Sequence, residues 1–95
     1  MARIIYIEDN VVIAENTQKF LQMEGYQVDI SHHGEKGFDM IEQAIDSGKP
    51  YDLAILDRML PGLDGLSIAR LIHSKNINIP FIFLTAKDRL TDTIE

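Results

Sequence analysis

Short runs of β-branched and aliphatic residues alternate along this chain with longer stretches whose apolar positions recur every three or four residues. The runs, at residues 3–7, 26–31, 53–56 and 79–84, have the composition of strands. The spacing between them predicts one helix over residues 11–24 and a second over 34–47. A third is expected to be capped by Asp64, and a fourth to start near Asp88 and run to Glu95. In the first helix Ile13, Thr17, Phe20 and Leu21 fall on one face, and either Asp9 or Asn10 can cap its first turn. Gly25 then suits the left-handed residue that ends many helices. The second helix is striped by Phe38, Ile41 and Ile45, the third by Ile68, Leu71 and Ile72.

The predicted order is β-α-β-α-β-α-β-α. Each helix is long enough to cross a sheet, so the strands are expected to be parallel with right-handed crossovers, giving an α/β doubly wound fold. The runs 53–56 and 81–84 are apolar throughout, as expected of central strands covered on both faces.

Ninety-five residues suffice for one domain, and 45% hydrophobic with 25% charged residues is ordinary for a globular chain. A net charge of −6 argues against a nucleic-acid surface, which needs clustered Lys and Arg. It fits a chain that meets a cation or a basic partner face. The absence of cysteine excludes a disulfide scaffold and a thiolate metal site, and is compatible with the cytoplasm. Met1-Ala2-Arg3-Ile4 leads straight into a strand without the layout of a signal peptide, and no apolar run has the length of a membrane span.

The chemistry concentrates at strand ends. Asp57 directly follows the run 53–56, and Glu8-Asp9 directly follow Arg3–Ile7. Open α/β sheets place their sites outside the carboxyl ends of the strands. If the two strands are parallel neighbours, three carboxylates converge there. Like charges raise one another's pKa, and a hard divalent cation such as Mg²⁺ relieves the repulsion through oxygen ligands. An Asp carboxylate is itself a nucleophile toward phosphorus. The plainer reading makes Glu8 and Asp9 helix caps and Asp57 the start of a turn, and for Asp9 capping competes directly with ligation. Thr85-Ala86 ends the fourth run as Asp57 ends the third, so the Thr85 hydroxyl falls at the same edge. Pro61-Gly62-Leu63-Asp64-Gly65 makes a rigid turn that fixes the backbone after Asp57, so that the Met59 carbonyl could face a metal. His32, His33 and His73 read as surface residues. Neighbours in a strand point to opposite faces, so His32 and His33 are not expected to share a metal.

Tyr6-Ile7-Glu8-Asp9-Asn10, Gly25-Tyr26-Gln27-Val28, Asp52-Leu53-Ala54-Ile55-Leu56-Asp57-Arg58-Met59-Leu60-Pro61-Gly62-Leu63-Asp64-Gly65 and Leu84-Thr85-Ala86-Lys87 together resemble the receiver domain of two-component response regulators. The wording around Leu60 and Leu84 is most similar to receivers joined to winged-helix DNA-binding domains. The resemblance implies a flavodoxin-like sheet of strand order 2-1-3-4-5. It implies that Asp57 is the phosphoacceptor, that Glu8, Asp9, Asp57 and the Met59 carbonyl hold Mg²⁺, and that Thr85 is the switch hydroxyl. The phosphodonor would be a phosphohistidine on a sensor histidine kinase, and the output transcription. Glu8 stands where Asp is commoner in the family.

By the same resemblance a fifth strand, a fifth helix, a phosphoryl-pairing lysine and a switch aromatic would follow the fourth helix. The receiver over residues 1–95 is therefore expected to be incomplete at its carboxyl end, with order 2-1-3-4. The fourth strand then becomes an apolar edge, which invites homodimerisation or domain-swapped self-association. A phosphorylation-independent interaction module is the alternative function. An aspartyl-phosphate hydrolase fits poorly, because the residue two after Asp57 is Met59 rather than an acid.

Overall fold

The computed structural model describes residues 1–58, 60 and 63–84. The elements run β1 (Arg3–Ile7), α1 (Val11–Met23), β2 (Gln27–Ser31), α2 (Gly34–Asp46), β3 (Leu53–Asp57), α3 (Gly65–Ser74) and β4 (Phe81–Leu84). The strands form one four-stranded sheet of order β2-β1-β3-β4, and all pairings are parallel. This is the expected α/β order, with β2 and β4 starting one and two residues later than the composition suggested. The fourth helix expected from Asp88 lies outside the described residues.

The alternation of side chains along each strand sorts the core into two layers. Ile5, Ile7, Ala54 and Leu56 face α2 and α3, where they pack with Phe38, Ile41, Ile68 and Ile72. Ile4, Tyr6, Val28 and Ile55 face the other way, onto Ala14 and Leu21 of α1. The α3 stripe of Ile68, Leu71 and Ile72 is as expected. Ile45 of α2 departs from its predicted stripe: it is exposed, and Gly34, Gly37 and Ala44 lie on the buried face beside Phe38 and Ile41.

The predicted face of α1 is likewise rotated. Thr17 and Leu21 are half-buried, but Ile13 is 42% and Phe20 61% exposed, while Ala14 is fully buried. The helix sits over β1 and β2 and approaches them through its smallest side chain, which leaves the Ile13–Phe20 flank overhanging the layer. Asn10, rather than Asp9, caps the helix by accepting from the Ile13 N–H at 3.0 Å. Gly25 takes φ +98° after the helix end, as expected.

β4 differs from the covered central strand that its apolar run suggests. Phe81 and Phe83 are half-buried against the α3 layer, while Ile82 is 49% and Leu84 36% exposed on the α1 side. Among the described residues no strand pairs with its outer edge.

The amino end of the sheet is stapled by Arg3. Its guanidinium lies 4.6 Å from the centre of the Tyr51 ring and 3.8 Å from Asp29, and it donates to the Lys49 carbonyl. Tyr51 Oη donates to Asp29 at 2.6 Å, and the Arg3 N–H donates to Asp52 at 2.8 Å. The carboxylates at this end are thus each met by a donor.

The rotation of α1 has a measurable consequence. Phe20→Ala should change stability by no more than about 0.5 kcal/mol, as for exposed sites. Ala14→Leu should overfill the interface and cost about 1–3 kcal/mol. Urea denaturation giving the reverse ranking would place the Ile13–Phe20 flank against the sheet instead.

Candidate functional site

β1 ends one residue before an acid and β3 ends on one. In the parallel ladder Ile7 pairs with Leu56, so the next positions, Glu8 and Asp57, are brought opposite each other at the carboxyl edge. One carboxylate oxygen from each of Glu8, Asp9 and Asp57 lies within 4.8 Å of the others. Glu8 is buried, Asp57 half-buried and Asp9 exposed, so the cluster opens to solvent on one side. Because Asn10 caps α1, the Asp9 carboxylate is not committed to the helix end.

Glu8 is fastened on several sides. Its Oε1 accepts from Tyr6 Oη at 3.2 Å and its Oε2 from the Asn10 N–H at 3.2 Å. Its own N–H donates to the Ser31 carbonyl at 2.9 Å, and His32 Nδ1 lies 2.8 Å from its carbonyl oxygen. A carbonyl can only accept, so Nδ1 carries the proton in that contact. Burial, then a side-chain hydrogen bond to Asp57, push the Glu8 carboxyl up to about 7, while the Asn10 N–H opposes the rise. Glu8 therefore holds its proton more firmly than an isolated carboxylate would.

The start of α3 is packed tightly against Asp57. A Cβ on Gly65 would stand 2.5 Å from the Asp57 carbonyl oxygen, so only glycine lets the start of α3 come this close. Asp64 caps α3 by accepting from the Ser67 N–H at 2.8 Å, as its position predicted. The Arg58 N–H donates to the Leu84 carbonyl at 3.3 Å, and its guanidinium lies 5.8 Å from the centre of the Phe83 ring. Met59, Pro61, Gly62 and Thr85 lie outside the described residues, so of the expected site the fold brings together Glu8, Asp9 and Asp57.

Two contributors escaped the sequence reading. Tyr6 reads as one more apolar strand residue, yet its hydroxyl reaches Glu8. His32, expected at the surface, is half-buried and ties the end of β2 to the Glu8 backbone. The two-residue spacing of Tyr6 and Glu8 on one strand face is the signal that was available. His33 and His73 are exposed, as expected.

The donor set is all oxygen, acidic and partly desolvated, which suits a hard divalent cation such as Mg²⁺ and is unsuited to softer metals that seek sulfur or imidazole. The arrangement can hold such an ion and present Asp57 as a nucleophile beside it.

The family model for the response regulator receiver domain matches residues 4–95. The chain belongs to the response regulator receiver family. The receiver is 41% identical over 91 residues to the transcriptional regulatory protein YkoG of Bacillus subtilis, a match that covers 96% of this chain and 38% of that protein. It therefore spans well under half the length of that relative. Among solved structures it resembles the Thermotoga maritima response regulator TrrA in complex with Mg²⁺ and BeF, with a TM-score of 0.77, 35% identity, and coverage of 97% of this chain and 76% of that one. It also resembles the complex of histidine kinase ThkA with TrrA, with a TM-score of 0.78, 36% identity, and coverage of 90% and 70%. No helix among the receiver's described residues is long and apolar enough to cross a membrane.

Mutual repulsion in the acidic cluster should be visible in stability. Without metal, Asp57→Asn is expected to raise Tm by a few degrees, since about 1 kcal/mol moves a chain of this size by roughly 4–8 °C. Adding Mg²⁺ should raise Tm of the wild-type receiver and leave the variant nearly unmoved. Thermal scans in which both respond equally to Mg²⁺ would remove Asp57 from the cation site.

Proposed function

We propose that this receiver accepts a phosphoryl group on Asp57 from a phosphohistidine of a sensor histidine kinase, within a two-component phosphorelay. The observation that carries this reading is the convergence of the Glu8, Asp9 and Asp57 oxygens within 4.8 Å at the carboxyl edge of the sheet. Glu8, Asp9, Asp57 and the Met59 backbone carbonyl are assigned to Mg²⁺, the last by its place in the family pattern. When bound, the ion offsets the negative charge of the incoming phosphoryl oxygens.

The protein's own groups supply the rest. An Asp57 carboxylate oxygen forms the new bond to phosphorus as the phosphorus–nitrogen bond of the donor breaks. The imidazole leaves with that electron pair and takes up a proton. Gly65 keeps the Asp57 backbone pressed against the start of α3, so the nucleophile is oriented before the donor arrives. Thr85 is proposed as the hydroxyl that meets the transferred group. The domain assists its own modification rather than turning over a substrate. The output proposed is transcription in the cytoplasm, through a DNA-binding region elsewhere in a longer protein; the name of the YkoG relative, a transcriptional regulatory protein, supports the transcriptional part. The net charge of −6 leaves nucleic acid to that other region.

Incubation with Mg²⁺ and acetyl phosphate, read by intact mass, is expected to add one phosphoryl group to the wild-type chain and none to Asp57→Asn. A wild-type chain without the adduct would leave a phosphorylation-independent interaction module as the better account.

A specific observation favours an association role alongside the first. The outer edge of β4 pairs with nothing among the described residues, and Ile82 and Leu84 are exposed beside it. Such an edge templates pairing with a second copy. The 95-residue chain should therefore show concentration-dependent association in sedimentation velocity, and Ile82→Lys should weaken it. A monomer at every concentration tested would exclude this role.

A further inference from the structure

We propose that the Tyr6 hydroxyl is a positioning group for the cation site, holding the Glu8 carboxylate in place. The inference rests on the reading of Glu8, Asp9 and Asp57 as a Mg²⁺ site.

Tyr6 is fully buried in the middle of β1, among Ile4, Ala14, Val28 and Ile55. A phenylalanine would fill that apolar layer without leaving a polar group to satisfy, so the hydroxyl has to be matched by partners at this depth. Tyr6 Oη donates to Glu8 Oε1 at 3.2 Å. A phenol has one proton to give, and here it is directed at the carboxylate.

The strand geometry makes the contact unavoidable. Tyr6 and Glu8 are two residues apart, so both side chains leave β1 toward the α1 layer. The Glu8 arm is then pinned at Oε1 by Tyr6 and at Oε2 by the Asn10 N–H, at the entrance to α1. With one donor on each oxygen, the carboxylate plane is set, and its remaining lone pairs are those available to the cluster with Asp9 and Asp57. Outer partners that orient a metal ligand typically contribute tenfold or more to affinity.

Tyr6→Phe keeps the ring and removes only the hydroxyl. Mg²⁺ affinity measured by calorimetric titration should fall roughly tenfold, while the urea midpoint shows a folded protein. Tyr51→Phe, which loses a buried phenol contact at the opposite end of the sheet, should bind as the wild type does. The Mg²⁺-induced change in the tyrosine ultraviolet difference spectrum should vanish in Tyr6→Phe and persist in Tyr51→Phe. Folded Tyr6→Phe binding Mg²⁺ as tightly as wild type would overturn the proposal, and so would a wild-type tyrosine difference spectrum that Mg²⁺ leaves unchanged if Tyr6→Phe fails to fold. A wild-type chain that takes up no Mg²⁺ would instead overturn the cation site itself, and the proposal with it.

Discussion

In the ladder between β1 and β3, Ile7 stands opposite Leu56, and the residues that follow are Glu8 and Asp57. A slip of one residue in that register would separate them and would also turn every side chain of one strand to the wrong layer. The hydrophobic layers that require Ile5, Ile7, Ala54 and Leu56 to face α2 and α3 therefore also bring two acids together at the sheet edge. The fold places like charges side by side because its core permits no other pairing. A bound divalent cation would relieve that arrangement, which is why the proposed phosphoryl transfer is placed next to it.

The two ends of the sheet carry their acids differently. At the amino end Asp29 meets Arg3 and Tyr51, and Asp52 meets the Arg3 backbone, so charge there is matched within the chain. At the carboxyl end Glu8, Asp9 and Asp57 face one another. Burial holds the Glu8 carboxyl at about 7 instead of its ordinary range, a strain concentrated where chemistry is expected.

Local features were the legible ones. Each strand run, the Asp64 cap and the acids at the strand ends could be read directly, because each depends on a few consecutive residues. The face of α1 could not. Ile13, Ala14, Phe20 and Leu21 make an apolar band too wide to fix the helix's rotation, and contact with β1 and β2 selected the Ala14 side. His32 eluded the reading for a similar reason. Its reach to the Glu8 carbonyl depends on Ile7 pairing with Ser31, a long-range register that no local pattern reveals. The role proposed for Tyr6 follows from the strand face it shares with Glu8, which brings its hydroxyl to that carboxylate.

The central claim is that Glu8, Asp9 and Asp57 bind one divalent cation as a unit. Backbone amide shifts followed during a Mg²⁺ titration by nuclear magnetic resonance test it most directly. The account requires the largest changes at Glu8, Asp9, Asn10, Asp57 and Arg58, saturating together with a single affinity, while residues around Arg3 and Tyr51 stay still. Changes centred instead on the acidic groove of Glu42 and Asp46 beside Lys75, or separate affinities for the β1 and β3 ends, would contradict it.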